Sequence, residues 1–146
     1  KRVKRIASKN KSGSFMGSEF SYEDLTAFNI DKYNYSGDAE EVSVDGKKMF
    51  KSERIPSSKN SGYTKQISWT TTDTFLTMKV EYYDRKKELL KTATFEDYKK
   101  IGGVWRIGKI TMTNHQNDKK TTLVWKDETV KNGLKDRDFH KRVLKK

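Results

Sequence analysis

The sequence predicts a mainly-β domain of the α+β class: a curved antiparallel meander with one short helix, near residues 21–29, packed on the sheet. Three observations carry that expectation. Runs of β-formers are separated by turn signals at the roughly 8–12-residue spacing of all-β folds. One run, residues 75–84, alternates strictly, with Leu76, Met78, Val80 and Tyr82 against Thr77, Lys79, Glu81 and Tyr83. And although only 32% of the chain is hydrophobic and 36% is charged, 12% is aromatic. The apolar mass therefore sits in large side chains, which suits a thin sheet with one wet and one greasy face rather than a thick helical core. At 146 residues the chain makes a single domain with a real core.

Taken in order, residues 1–9 read as a strand around Val3, although Ile6 breaks the alternation. Residues 14–25 follow, and they put Phe15, Met16, Phe20 and Tyr22 among glycine and serine. Such groups are not left in water, so the segment is expected to dock on the sheet. Ser21 reads as an N-cap with Asp24 as the capping-box acid, and Tyr22, Leu25 and Phe28 share a face, which predicts the helix. Strands are expected at 33–36 and 39–44. The Asp45-Gly46 pair supplies the two positive φ angles of a tight hairpin turn into 47–55, and Pro56 ends that strand by removing a donor. Residues 63–70 follow with Tyr63, Ile67 and Trp69 on one face, then 75–84 and 89–98, the last with Leu89, Ala93 and Phe95 together. Gly102-Gly103 reverses the chain into 104–113, where Val104, Ile110 and Met112 lie on one side and Trp105 and Ile107 on the other. This predicts a central strand covered on both faces. Residues 120–128 form the last strand with Leu123 and Trp125, and Leu134, Phe139, Val143 and Leu144 suggest a terminal helix or arm.

Residues 13–25 resemble the signature segment of the LolA-like outer-membrane lipoprotein-sorting family. The resemblance continues in residues 80–84, 90–92, 97–105, 112–114 and 120–123, and in a closing segment from Phe139 to Leu144. It implies a half-open β-barrel, LolA/LolB-like, in the periplasm or cell envelope of a Gram-negative bacterium. It also implies that residues 1–146 form one such domain, lacking N-terminal strands that follow a cleaved export signal.

The net charge of +12 raises nucleic acid or an anionic membrane surface as partners. Most lysines, however, sit at expected turns and alternate with acids. True basic clusters occur only in residues 1–11 and at Lys141, Arg142, Lys145 and Lys146. A nucleic-acid reading would stack bases on Tyr33, Tyr35, Tyr82, Tyr83 and Trp125, against the interleaved acids and the absence of any recognisable motif. Cysteine is absent, and no apolar run approaches the ~20 residues that span a bilayer. His115 and His140 have no partner at triad or metal-ligand spacing, Glu40 and Glu41 point to opposite faces, and no phosphate loop or nucleophile elbow occurs. No catalytic residue, metal or cofactor is expected.

Binding is the positive expectation. The lining of a hydrophobic cavity is assigned to Trp69, Leu76, Met78, Val80, Tyr82, Ile110, Met112, Leu123 and Trp125, with Phe15, Met16, Phe20 and Leu25 as the lid. The same residues would serve as an ordinary core. The resemblance implies that the ligands are lipid or lipoprotein acyl chains, held without covalent chemistry. A membrane exporter or an outer-membrane acceptor protein, with peripheral contact to the membrane, would be the further partners.

Overall fold

The computed structural model describes residue 3 and residues 5–143. Ten strands follow one another: β1 (Tyr33–Tyr35), β2 (Glu40–Val44), β3 (Lys47–Pro56), β4 (Lys65–Thr71), β5 (Thr77–Tyr83), β6 (Leu89–Glu96), β7 (Lys99–Ile101), β8 (Val104–Arg106), β9 (Lys109–Asn114) and β10 (Lys120–Val124). Eight make one antiparallel sheet in the order β1, β3, β4, β5, β6, β9, β10, with β2 also paired to β3. The long β3 holds β2 along its first half and β1 along its second, end to end. Among the described residues the sheet does not close: β10 pairs only with β9.

The Asp45-Gly46 turn forms with φ of 49° and 74°, the positive pair that a two-residue hairpin needs. The expected strand at 104–113 is instead two. Val104–Arg106 pairs with Lys99–Ile101 as a separate hairpin turned at Gly102-Gly103, while Lys109–Asn114 joins the main sheet beside β6. The apolar groups on both sides of that run thus belong to two sheets. Gly108 is the joint: it donates to the Asp97 carbonyl, and a Cβ there would lie 2.6 Å from that oxygen.

Two further expectations change. The helix near 21–29 is a hydrogen-bonded turn with a 3-10 turn at Ile30–Lys32 after it. The capping bonds do form, Ser21 N to Asp24 Oδ2 at 2.7 Å and Asp24 N to Ser21 Oγ at 3.3 Å, but no helix propagates from them. The strand expected at 1–9 is absent among the described residues, with Lys1, Arg2 and Lys4 lying outside them; Ser8–Asn10 is a 3-10 turn. At the other end, Asp136–Phe139 is a single exposed 3-10 turn, and Leu144 lies outside the described residues.

Register fixes the two faces. On the covered face Gln66 lies opposite Tyr82, Ser68 opposite Val80, Val80 opposite Ala93, and Ala93 opposite Met112. Phe20 caps this row from residues 14–25, and Phe15, Phe95, Ile110 and Leu123 pack around it. Met112 at 1% exposure is the centre of the cluster. Met112→Ala should therefore cost about 2–5 kcal/mol, as large-to-small changes in packed cores do. Urea denaturation measures it, and a loss under about 1 kcal/mol would mean that the site collapses or is already loose.

Candidate functional site: a strap and an open groove on the covered face

Residues 14–25 cross the covered face as a strap. Phe15 N donates to the Phe20 carbonyl at 2.7 Å, closing a tight loop in which Met16 takes φ of 52°. The strap is fixed by its acids. Asp24 Oδ2 lies 2.7 Å from Lys91 Nζ, with the two side chains only 3% and 5% exposed. Lys91 Nζ also donates to the Glu19 carbonyl at 2.9 Å, and Asp24 Oδ1 accepts from Tyr63 Oη at 2.6 Å. Glu19 reaches β9 and β10: its carboxylate accepts from Asn114 Nδ2 at 2.6 Å, and its N–H donates to Thr121 Oγ1 at 3.1 Å. Glu23 accepts from the Ser61 hydroxyl and from Gly62 N.

This network raises two phenols. Burial, and after it the Asp24 charge, push both Tyr63 and Tyr82 far above the ordinary tyrosine range. Tyr98 is pushed up to about 12 by burial.

Beside the strap the covered face is not filled. A groove of about 380 Å³ runs under residues 23–29, within the ~300–1,000 Å³ of small-molecule sites. Toward β3 and β4 it is lined by Lys32, Tyr33, Arg54 and Gln66; toward β5 and β6, by Val80, Tyr82, Phe95, Tyr98 and Ile107. Arg54 Nε donates to Gln66 Oε1 at 2.9 Å, and its guanidinium lies 4.8 Å from the centroid of the Phe28 ring and 4.9 Å from that of Tyr33.

The residues expected to converge are divided by this geometry. Val80, Tyr82, Ile110, Met112 and Leu123 share the covered face; of these, Val80 and Tyr82 reach the groove. Trp69 lies on the opposite face, beside Lys79, whose Nζ is 3.6 Å from its ring centroid. The cause is the register. Gln66 and Ser68 take the inward positions of β4, so Ile67 and Trp69 point out. A bulge then pairs Trp69 with Lys79 but Thr70 with Thr77. Thr77 consequently lines the groove, and Leu76 and Met78 line a separate hollow with Trp105. Trp125 follows the end of β10 and lines another hollow, with Lys99 and Arg106. Met78, Met112 and Trp125 therefore do not meet. Of the four strap residues, Phe20 is buried and Phe15 packs against the core, whereas Met16 at 84% and Leu25 at 42% exposure point away.

Sequence reasoning missed the anchors Glu19, Glu23, Asp24, Tyr63 and Lys91, and the groove residues Arg54, Tyr98 and Ile107. The one available signal was Lys91 itself, a charge between Leu90 and Ala93 at a position whose alternation points inward. The stacking set is also divided: Tyr82 is buried, and Tyr83 is on the other face, its hydroxyl on Glu81. Among the described residues no group of three His, Cys, Asp or Glu is placed to hold a metal.

An open antiparallel meander curled over a docked strap defines a half-open β-barrel. The chain belongs to the family whose model matches it over its whole length, and it is similar to solved structures of outer-membrane lipoprotein-sorting and LolA superfamily proteins. A family model described as "Uncharacterized protein" matches residues 1–146. A solved domain from Vibrio parahaemolyticus, described as an outer membrane lipoprotein-sorting protein, is 49% identical with a TM-score of 0.93, covering 99% of this chain and 62% of its own. A DUF1329 family protein from Desulfovibrio piger is 32% identical with a TM-score of 0.90, covering 98% of this chain and 60% of its own. A LolA superfamily protein from Nitrosomonas europaea shares the fold, with 22% identity and a TM-score of 0.77 over 92% of this chain and 60% of its own. The chain thus spans about three fifths of the length of these structures. No curated protein matches it.

Two predictions follow from the strap. Lys91→Met and Asp24→Asn should each destabilise by about 3–5 kcal/mol, because each leaves a buried charge without its partner, and the double variant should lose clearly less than the sum. Denaturant titration of all four proteins checks this, and additive losses would mean that the pair is not coupled. The second concerns pH. Tyr82 keeps its proton in the fold beyond the point where the unfolded chain releases it, so its contribution is intact below about pH 10 and declines as pH rises further, by up to about 1.4 kcal/mol per unit. Tyr82→Phe should make stability fall less steeply between pH 10 and 11 (about one unit above the ordinary tyrosine value); identical slopes would refute the assignment.

Proposed function

We propose that this protein is a non-catalytic carrier or binding protein for hydrophobic ligands, lipid or lipoprotein acyl chains, in the cell envelope. The observation that carries the reading is the groove beside the strap. The covered face holds apolar side chains around a space that the protein's own core leaves unfilled. Kinship to a family with lipoprotein-sorting members supports the same class of ligand and an envelope location.

In this reading Phe20 and Phe15 seal the filled part of the half-barrel, and residues 23–29 roof the part that accepts a chain. Sequestration needs no cofactor. Each methylene withdrawn from water contributes ~0.8 kcal/mol. Release requires the roof to lift, while the buried Lys91–Asp24 pair keeps the strap attached. A membrane exporter or outer-membrane acceptor would be the donor or recipient in such a cycle.

Native mass spectrometry of the full-length protein after incubation with total bacterial membrane lipid tests the reading. Defined lipid masses should be retained by the natural protein and lost in Phe95→Arg and Ile107→Arg, half-buried groove positions where circular dichroism can establish that the fold persists. Within a homologous series, shortening a chain by two methylenes should weaken retention about tenfold. A natural protein that retains no lipid, or variants that retain it unchanged, would defeat the proposal.

A further inference from the structure

We infer that the groove selects a single-chain amphiphile ending in a carboxylate, and that Arg54 is the residue that binds the carboxylate; the inference rests on the carrier reading above and names its ligand class. Arg54 lies at one end of the groove and is fixed from three sides: Gln66 Oε1 holds its Nε, and the rings of Phe28 and Tyr33, themselves stacked with centroids 5.6 Å apart, lie against the guanidinium. Those contacts use one of five N–H donors. Among the described residues the two terminal nitrogens have no hydrogen-bond acceptor and the guanidinium has no ion-pair partner. A planar fork held in place with its outer donors free matches the two oxygens of a carboxylate.

The other charges around the groove leave that role to Arg54. Asp24 is committed to Lys91, and Glu23 to Ser61 and Gly62. Lys32, which also lines the groove, is not ion-paired among the described residues and adds to the positive end. Away from it the lining turns apolar through Val80, Phe95 and Ile107. From β3, which carries Arg54, to β6, which carries Phe95, is three strand spacings, or roughly 14 Å. The space is thus cationic at one end, apolar at the other, and at about 380 Å³ near the small limit of ligand sites, which suits one chain rather than a bundle of them.

The test compares two ligands of equal chain, dodecanoate and dodecan-1-ol, by displacement of a fluorescent fatty-acid analogue from the full-length protein at neutral pH and low salt. The natural protein should bind dodecanoate about tenfold to a hundredfold more tightly than the alcohol, the advantage of a charge-assisted pair, and added salt should narrow the gap. Arg54→Met keeps most of the stem that packs on Phe28 and Tyr33 and removes the charge. It should abolish the preference while leaving affinity for the alcohol within about twofold, and that retained affinity also reports an intact groove. Equal affinity for both ligands in the natural protein, or a preference that survives Arg54→Met, overturns the inference and leaves the carrier reading standing. Failure to bind either ligand overturns the inference, and the carrier reading falls with it only where the protein also retains no membrane lipid in the mass-spectrometric test. Should Arg54→Met lose the alcohol as well, Arg54→Lys decides: restored alcohol binding with a restored preference for dodecanoate supports the inference, and restored alcohol binding without one overturns it.

Discussion

A buried ion pair holds this structure in its shape. Lys91 stands on β6 at a position that alternation turns toward the covered face, where an ammonium without a partner would be strongly unfavourable. Asp24 meets it at 2.7 Å, the Glu19 carbonyl takes a second donor, and Tyr63 supplies a third contact to the carboxylate. Buried pairs are not large net contributors to stability, since desolvation offsets most of the Coulomb attraction. Their consequence is specificity. The strap has one position at which both charges are satisfied, and that position carries Phe20 onto Val80, Ala93 and Met112. Glu19 and Glu23 repeat the device at two further points, to β9 and β10 on one side and to the loop before β4 on the other. A segment without regular secondary structure is thereby held to the sheet at several points along its length.

This explains how one sheet can carry both a core and a groove. Where the strap is pinned, Phe20 and Phe15 pack onto Val80, Ala93 and Met112. Beyond Asp24 the chain keeps to the surface: Leu25, Phe28 and Ile30 are 42%, 59% and 62% exposed, and nothing from this stretch descends to fill the sheet as Phe20 does. The result is a roof without a plug. The covered face is neither wholly core nor wholly cavity, and the boundary between the two falls where the buried ion pair ends.

The sequence revealed the meander and its turns because those depend on local chemistry. Asp45-Gly46 and Gly102-Gly103 adopt positive φ whatever surrounds them, and the alternation of β5 survives in its burial from Lys79 to Tyr83. The errors came where a local pattern had a non-local use. Ser21 and Asp24 make the bonds of a helix start, but the acid is also the partner of Lys91, and a short segment gains too little from propagation to continue as a helix. Residues 104–113 carry apolar groups on both faces, which reads as one strand covered on both sides, but the change of face at Gly108, from Trp105 and Ile107 to Ile110 and Met112, marks the break between two sheets. Trp69 shares a face with Ile67 in the alternation and is buried at 8% exposure, but on the face opposite the groove. Ser68 and Gln66 take the inward positions instead because each finds a partner across the sheet, Ser52 Oγ at 2.9 Å and Arg54 Nε at 2.9 Å. Buried polar groups that satisfy one another from different strands cannot be read from either strand alone.

Those same polar pairs give the covered face a direction. Across the strands its composition changes: Ser52 and Arg54 on β3 and Gln66 and Ser68 on β4 give way to Val80 and Tyr82 on β5, Ala93 and Phe95 on β6, and Ile110 and Met112 on β9. A sheet built only to enclose a core would gain from apolar residues throughout, because each polar group placed under cover must be hydrogen-bonded merely to avoid a loss. Apart from Lys91, which Asp24 neutralises, the polar groups named here are bonded, grouped on β3 and β4 and in part left facing open space, with donors of Arg54 unspent. The gradient therefore lies along the groove, and its two ends differ in the way the two ends of an amphiphile differ. The bulge at Trp69/Thr70 sharpens the contrast by turning Met78 out of the groove and Thr77 into it. A one-residue shift in register thus decides which side chains a ligand would meet, and it does so without altering the pairing of the strands that hold the strap.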